Sequence, residues 1–242
     1  MHPGGRGGAA PLMPTLAIRG CMEIGSPEES IARIKDLLSI FDRRIAPTVD
    51  KENTSAISKV PYKLLCLRAL YQIRICDLGH ASHLLYIKKA YLPAFVLTRA
   101  VMETVAMFYV SFTKVSASVK KNNVDDINDF LMQALLGTRD GTGSIKHYNA
   151  LTAVQHVGKR NKAFEELYLG LCEFAHPNWG GVSLAYGEQI DEGHMVIKTI
   201  RDSSFANTIG MKPLMASLML FEEIYQGIEE LIPKFTEVCE NC

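Results

Sequence analysis

Glu173, His176 and Asn178 set a carboxylate, an imidazole and an amide within one short stretch, Leu171-Cys172-Glu173-Phe174-Ala175-His176-Pro177-Asn178-Trp179-Gly180-Gly181, which also holds the chain's single Trp. Glu173 and His176 stand three apart, so on a helix they share a face. Pro177 lacks an N–H and ends that helix, leaving His176 in a last turn where the helix dipole favours a cation. Gly180 and Gly181 permit a turn with close backbone approach. Three chemistries are open to this group. The plainest is a helix-end hydrogen bond with a cap. The second is a general acid/base pair. The third is half of a metal site, because Glu-x-x-His is one unit of the di-iron carboxylate bundles. A second unit would have to come from Asp77-Leu78-Gly79-His80, with His83 beyond it, and Asp77 is a poor stand-in for Glu. The set is one unit short, so no metal and no cofactor is expected. Trp179 serves either as a plug over a bundle end, the commoner use, or as a stacking platform.

Arg99 and Glu103 stand at i and i+4 in a helix with no polar face, among Phe95, Val96, Met102, Ala106 and Met107. Burying charges is costly unless each is paired and hydrogen-bonded. The two are therefore either a tie between helices or part of a functional cleft. Together with the first group they define a candidate ligand pocket of Arg99, Glu103, Glu173, His176, Asn178 and Trp179. Its charged members Glu173, His176, Arg99 and Glu103 are the candidates for any catalysis. The expectation is that Arg99 and Glu103 lie within reach of the 173–178 segment. Cys172 stands four before His176, but an interior helical Cys is ordinarily inert packing. Gly141-Thr142-Gly143-Ser144 resembles a phosphate cradle in composition only, since the Gly-x-x-x-x-Gly-Lys-Ser/Thr spacing is absent. No Gly-x-Ser-x-Gly elbow is present either.

The elements that must position these residues are helices. Residues 1–25 read as a flexible, Gly-rich leader, and 26–58 as one helix with a polar linker. That helix starts at Ser26-Pro27-Glu28-Glu29, a cap followed by Pro and acids in the first turn. Its stripe is Ile31, Ile34, Leu38, Phe41 and Ile45. A bundle domain fills 59–242. It opens with a helix from Pro61 to about Lys88, whose Leu64, Leu67, Leu70, Tyr71, Ile75, Leu78 and Leu85 spread over several faces. A helix from Tyr91 to about Val119 follows, then shorter ones after Asp125 and Asn149, and one from about Asn161 to His176. A β-hairpin is expected near 182–200, with Val182–Tyr186 and Met195–Ile200 flanking a turn over Gly187–His194. Leu214, Leu218, Phe221, Ile224, Tyr225, Ile228 and Leu231 mark a last helix from Pro213 to about Phe235. The sum is an all-α, up-and-down bundle of four long helices with short extra helices and one small hairpin.

Composition narrows the function. Lys plus Arg and Asp plus Glu are 26 each, so the chain lacks the basic excess of a dedicated nucleic-acid binder. The six cysteines read as reduced thiols of a cytoplasmic protein, with Cys239-Glu240-Asn241-Cys242 the only C-x-x-C pair. No unbroken apolar run reaches the roughly 18 residues of a membrane span. The most apolar segment, 91–112, is interrupted by Arg99 and Glu103, so no membrane partner is expected.

Phe95-Val96-Leu97-Thr98-Arg99-Ala100-Val101-Met102-Glu103, Asn149-Ala150-Leu151-Thr152-Ala153 and Tyr168-x-x-Leu171-x-Glu173-x-x-His176-Pro177-Asn178-Trp179-x-Gly181 resemble segments of an uncharacterised bacterial helical family. Its members share an R-x-x-x-E helix and a later Y-x-x-L-S-E-x-x-H-P-N-x-x-G turn. The likeness runs from about residue 60 to 235, and Cys172 stands where the family usually has Ser. That family is similar in architecture to the HEPN superfamily of four-helix modules, which includes ribonucleases of defence systems and inactive, ligand-binding members. Active members carry Arg, four to six residues, then His. Arg74-Ile75-Cys76-Asp77-Leu78-Gly79-His80 fits the spacing, but Ile75 departs from the usual polar residue and nuclease activity is not assigned. The resemblance implies a HEPN-like module whose polar pocket binds a small anionic or nucleotide-like ligand or RNA. A place in bacterial defence or stress response rests on fold analogy alone. The alternatives are a non-enzymatic interaction scaffold and a metal-dependent enzyme using Glu173, His176, Asp77 and His80. A homodimer is compatible with each.

Overall fold

The computed structural model describes residues 25–242 apart from 53, 141 and 201, so the leader up to 24, Cys21 and Gly141 lie outside the described residues. Eight α-helices follow in order: α1 (Pro27–Asp42), α2 (Val60–Ile87), α3 (Tyr91–Lys121), α4 (Asp125–Leu136), α5 (Ala150–Gly158), α6 (Lys162–Ala175), α7 (Ser203–Ala206) and α8 (Lys212–Asn241). A π-helical turn, Trp179–Leu184, and an antiparallel hairpin, β1 (Gly187–Asp191) and β2 (His194–Ile197), stand between α6 and α7. A second π segment, Asn207–Met211, joins α7 to α8. The chain is an all-α helical bundle with one small hairpin.

Local chemistry explains the helix starts. Ser26 Oγ accepts from the Glu29 N–H at 3.2 Å and Glu29 Oε2 accepts from the Ser26 N–H at 3.0 Å, a reciprocal capping box ahead of Pro27. The Asn149, Asn161 and Asp202 side chains cap α5, α6 and α7 by accepting from backbone N–H groups of the first turn, without the reciprocal bond. α1 buries Ile34, Leu37, Leu38 and Phe41 in the same core as the rest of the bundle. Ile45 falls beyond its end and is exposed, as is Leu70 on α2.

α3 is the axis. α2, α4, α5, α6 and α8 all pack on it, which is why its sequence is apolar nearly all round. The predicted stripe of α8 is buried, and Phe221 meets Phe41 at 5.1 Å and Phe108 at 5.0 Å between ring centroids. By length and composition α3 can cross a membrane, contrary to the sequence expectation, because two charges do not disqualify a helix of 31 residues. Most of its apolar stretch is buried among the other helices.

The hairpin is shifted from its predicted place. Val182–Leu184 continue a helical turn, and Gly187–Asp191, predicted as the turn, form β1. Its side chains lie almost wholly in solvent, so no burial pattern betrays the register. Glu192-Gly193 makes the reversal and pairs Glu188 with Val196 and Gln189 with Met195.

Two histidines set a pH dependence. His83 Nε2 is buried with no hydrogen-bond partner among the described residues. Burial lowers the pKa of His83, and burial together with Lys159, Lys114 and Arg160 lowers that of His156. A depressed folded-state pKa means the unfolded chain binds these protons first as pH falls. The stability is present above about 6.5 and is lost as pH drops through the folded values. Thermal melts at pH 7 and pH 5 should show that loss, and a His83→Asn/His156→Asn variant should show a smaller one.

Candidate functional site

α3 carries Arg99 and Glu103 one turn apart on the side facing α6. Tyr168 of α6 completes the group. Its hydroxyl donates to Glu103 Oε1 at 2.8 Å. The Arg99 Nε–H reaches the same oxygen at 3.1 Å and the Tyr168 oxygen at 3.4 Å. The guanidinium also lies 5.5 Å from the centre of the Tyr168 ring. Both charged side chains are about 70% covered, with 27% and 29% exposed. Burial works to lower the Arg99 pKa, but the Tyr168 hydroxyl and the Glu103 charge more than offset it, so the net shift is upward. Burial and the neighbouring Glu103 push the Tyr168 phenol above its ordinary range. These three side chains lock α3 to α6 with every charge partnered.

One turn beyond Tyr168, burial raises the Cys172 pKa, although Arg99 acts to lower it. The net shift disfavours the thiolate that a nucleophilic cysteine needs.

α6 closes at Ala175, and His176 adopts an extended conformation with φ −97° and ψ 147°. Asn178 is the clip of the turn that follows. Its Nδ2 donates to Glu173 Oε2 at 3.0 Å, and its Oδ1 accepts from the Gly181 N–H at 3.1 Å. Gly180 and Gly181 are buried against the last turn of α6. A Cβ on Gly181 would stand 2.0 Å from the His176 carbonyl oxygen, so the close approach requires glycine. The turn thrusts Trp179 outward, 71% exposed. Trp179 is thus not the plug that the sequence favours. The glycines are buried in its place, and the indole is left in solvent, as is His176.

Four of the six predicted residues form two clusters, and His176 and Trp179 join neither. Arg99 and Glu103 meet through Tyr168, and Glu173 meets Asn178. Among the described residues no hydrogen bond or ion pair joins the clusters, and the His176 imidazole has no hydrogen-bond partner. α3 reaches the end of α6 through apolar contact instead, with Phe95 5.5 Å from Phe174 and both rings near Phe205. Tyr168 is the member that sequence reasoning missed. The signal was available, since a Tyr on a buried helix face must find a partner for its hydroxyl.

The other candidates are dispersed. His80 Nε2 stands 2.9 Å from Asp42 Oδ2 of α1, whereas the Arg74 Nε–H donates to Thr104 of α3. The Arg-x5-His pair therefore serves two sides of α2. Among the described residues no three His, Cys, Asp or Glu side chains gather as metal ligands. In the 137–146 loop the Thr142 and Gly143 N–H groups are taken by Asp140 and Thr138.

Two cavities adjoin the turn. The larger, about 570 Å3, is lined by Leu184, Ala185, Lys198, Ile200, Asp202 and Phe205. The smaller, about 250 Å3, shares Ala185 and Ile200 and extends to Lys89 and Tyr91. Sequence reading gave no sign of either: the larger is folded from the two ends of the 184–205 segment, and the smaller joins that segment to residues 89–93. Comparison with protein families, with curated proteins and with solved structures finds no match to this chain.

Proposed function

We propose that the chain is a helical binding module that takes a small anionic, nucleotide-like ligand at the end of α6. One observation carries this reading. The turn that presents Trp179 to solvent also supplies Leu184 and Ala185 to a ligand-sized cavity of about 570 Å3. An exposed indole on a rigid, capped turn is a stacking surface for a base. His176 stands three residues before Trp179, and Lys198, paired with Glu188, lines the cavity as a cation an anionic ligand would share. Arg99 and Glu103, already partnered with each other, hold α3 and α6 in place and do not contact the ligand. A balanced net charge suits a compact ligand better than an RNA tract.

Trp179 is the only Trp, so indole fluorescence excited beyond the absorption of the nine tyrosines reports this site alone. Titration with nucleoside monophosphates should quench it saturably at concentrations up to about 1 mM. Trp179→Phe removes that signal, so its affinity and that of Trp179→Ala are read by calorimetry. Loss of the ring in Trp179→Ala should weaken binding about 10-fold or more, from a stacking contribution of about 1–3 kcal/mol. The melting temperature should barely move, since an exposed side chain contributes little to the fold. Absence of quenching by all four monophosphates overturns the reading.

A second reading, an interaction scaffold, is favoured by the exposed Ile190, Met195, Val196 and Ile197 on the isolated hairpin. It predicts that Met195→Glu/Ile197→Glu changes the sedimentation of the chain and leaves nucleotide titrations unaltered.

A further inference from the structure

A further cavity, of about 250 Å3, lies between the α1–α2 connection, α2 and α8. Arg44, Arg68, Asp50, Thr48, Gln72 and Tyr225 line it. Two guanidinium groups share the Tyr225 ring, Arg44 at 5.7 Å and Arg68 at 4.7 Å from its centre. Their charges are treated differently. Arg44 Nη1 donates to both carboxylate oxygens of Glu222, at 2.7 and 2.6 Å. Arg68 has no ion pair among the described residues, and its Nη1 is buried without a hydrogen-bond partner.

A guanidinium keeps its charge at every accessible pH, so it cannot escape burial by losing a proton. An unpaired, desolvated N–H of a cation is among the costlier features a fold can retain. The Tyr225 ring lies against the Arg68 guanidinium, and Arg68 is part of the cavity lining. A planar fork of donors matches the paired oxygens of a carboxylate or phosphate. The cavity is smaller than ordinary drug-sized pockets, which limits the ligand to a small one.

We propose that this cavity is a binding site for a small oxyanion, a carboxylate or a phosphate group, held by Arg68 against Tyr225. The site is independent of Trp179. Arg44 sits beside it with its charge already matched by Glu222, so it shapes the cavity without demanding a second anion. The Asp50 carboxylate on the same wall accepts from the Glu52 N–H at 2.9 Å, so an anion on Arg68 must be small enough to stay clear of it.

The test is thermal melting of the full chain with acetate, with inorganic phosphate and with chloride at equal ionic strength. Acetate or phosphate should raise the melting temperature saturably, by about 5–10 °C at a hundredfold excess over the midpoint, and chloride should not. A response to acetate alone identifies a carboxylate site, and a response to phosphate alone a phosphate site. Arg68→Met keeps the stem over Tyr225 and removes the charge. It should abolish the response while melting no lower than the parent in anion-free buffer. If Arg68→Met does not fold, the Nε–Hε resonance of Arg68 in the parent chain replaces it, and a saturable shift in the same titration is expected. An equal response in parent and variant, no saturable response to either anion, or an unmoved Arg68 resonance overturns the proposal.

Discussion

Phe221→Ala should lower the stability of the bundle by about 3–5 kcal/mol, the range for emptying a fully buried aromatic site. Phe221 is 1% exposed and joins three helices, with Phe41 of α1, Phe108 of α3 and Tyr225 of α8 around it. The rings meet at an edge or a tilt, so truncation removes both contact area and favourable ring geometry. The neighbours are themselves rings on rigid helices, and they cannot close the space left behind. For a chain of this size the melting temperature should fall by roughly 10 °C, read by circular dichroism. A loss under about 1 kcal/mol would mean that the helices slide to fill the gap, against the rigidity argued for close-packed cores.

Gly181→Ala should break the turn and leave the bundle standing. The added methyl would meet the His176 carbonyl at 2.0 Å and the Phe174 carbonyl at 2.9 Å, both backbone atoms that cannot rotate away. The turn must lift off α6, which breaks the hydrogen bond from the Gly181 N–H to Asn178. The cost is that of overpacking, about 1–3 kcal/mol. Trp179 is carried by the same turn, so nucleotide quenching should be lost even though the helical circular dichroism signal remains. An unchanged titration in Gly181→Ala would separate the ligand site from the turn.

What was legible in the sequence was local. Ser26 with Glu29, Asn149 with its own helix, and the Leu214–Leu231 stripe each declare themselves within a few residues, because capping and helical burial act at that range. The partnership of Tyr168 with Arg99 and Glu103 spans more than sixty residues, and no periodicity reports it. The same holds for Arg68 and Tyr225. The hairpin was found but misplaced, since a strand pair in solvent carries no alternation between core and surface. Trp179 was read as a plug from the habits of its residue type. Its exposure follows from Gly180 and Gly181, whose small size lets backbone take the buried place. Of the six expected pocket residues, four fall into two clusters, because Arg99 and Glu103 meet α6 at Tyr168, two turns before His176.

The central place of α3 has a consequence during synthesis. α3 is complete at residue 121, yet α8, which covers one of its flanks, ends only at 241. A ribosome adding about 5–20 residues per second needs roughly 6–24 s to make that interval. Over that time the long apolar α3 stands with α1 and α2, then also with the short α4, α5 and α6, and with one side bare. Aggregation hazard for this protein therefore belongs to the growing chain more than to the finished bundle. Slowing elongation between α6 and α8, or deleting α8, should increase the demand for a chaperone in proportion to the time that flank waits.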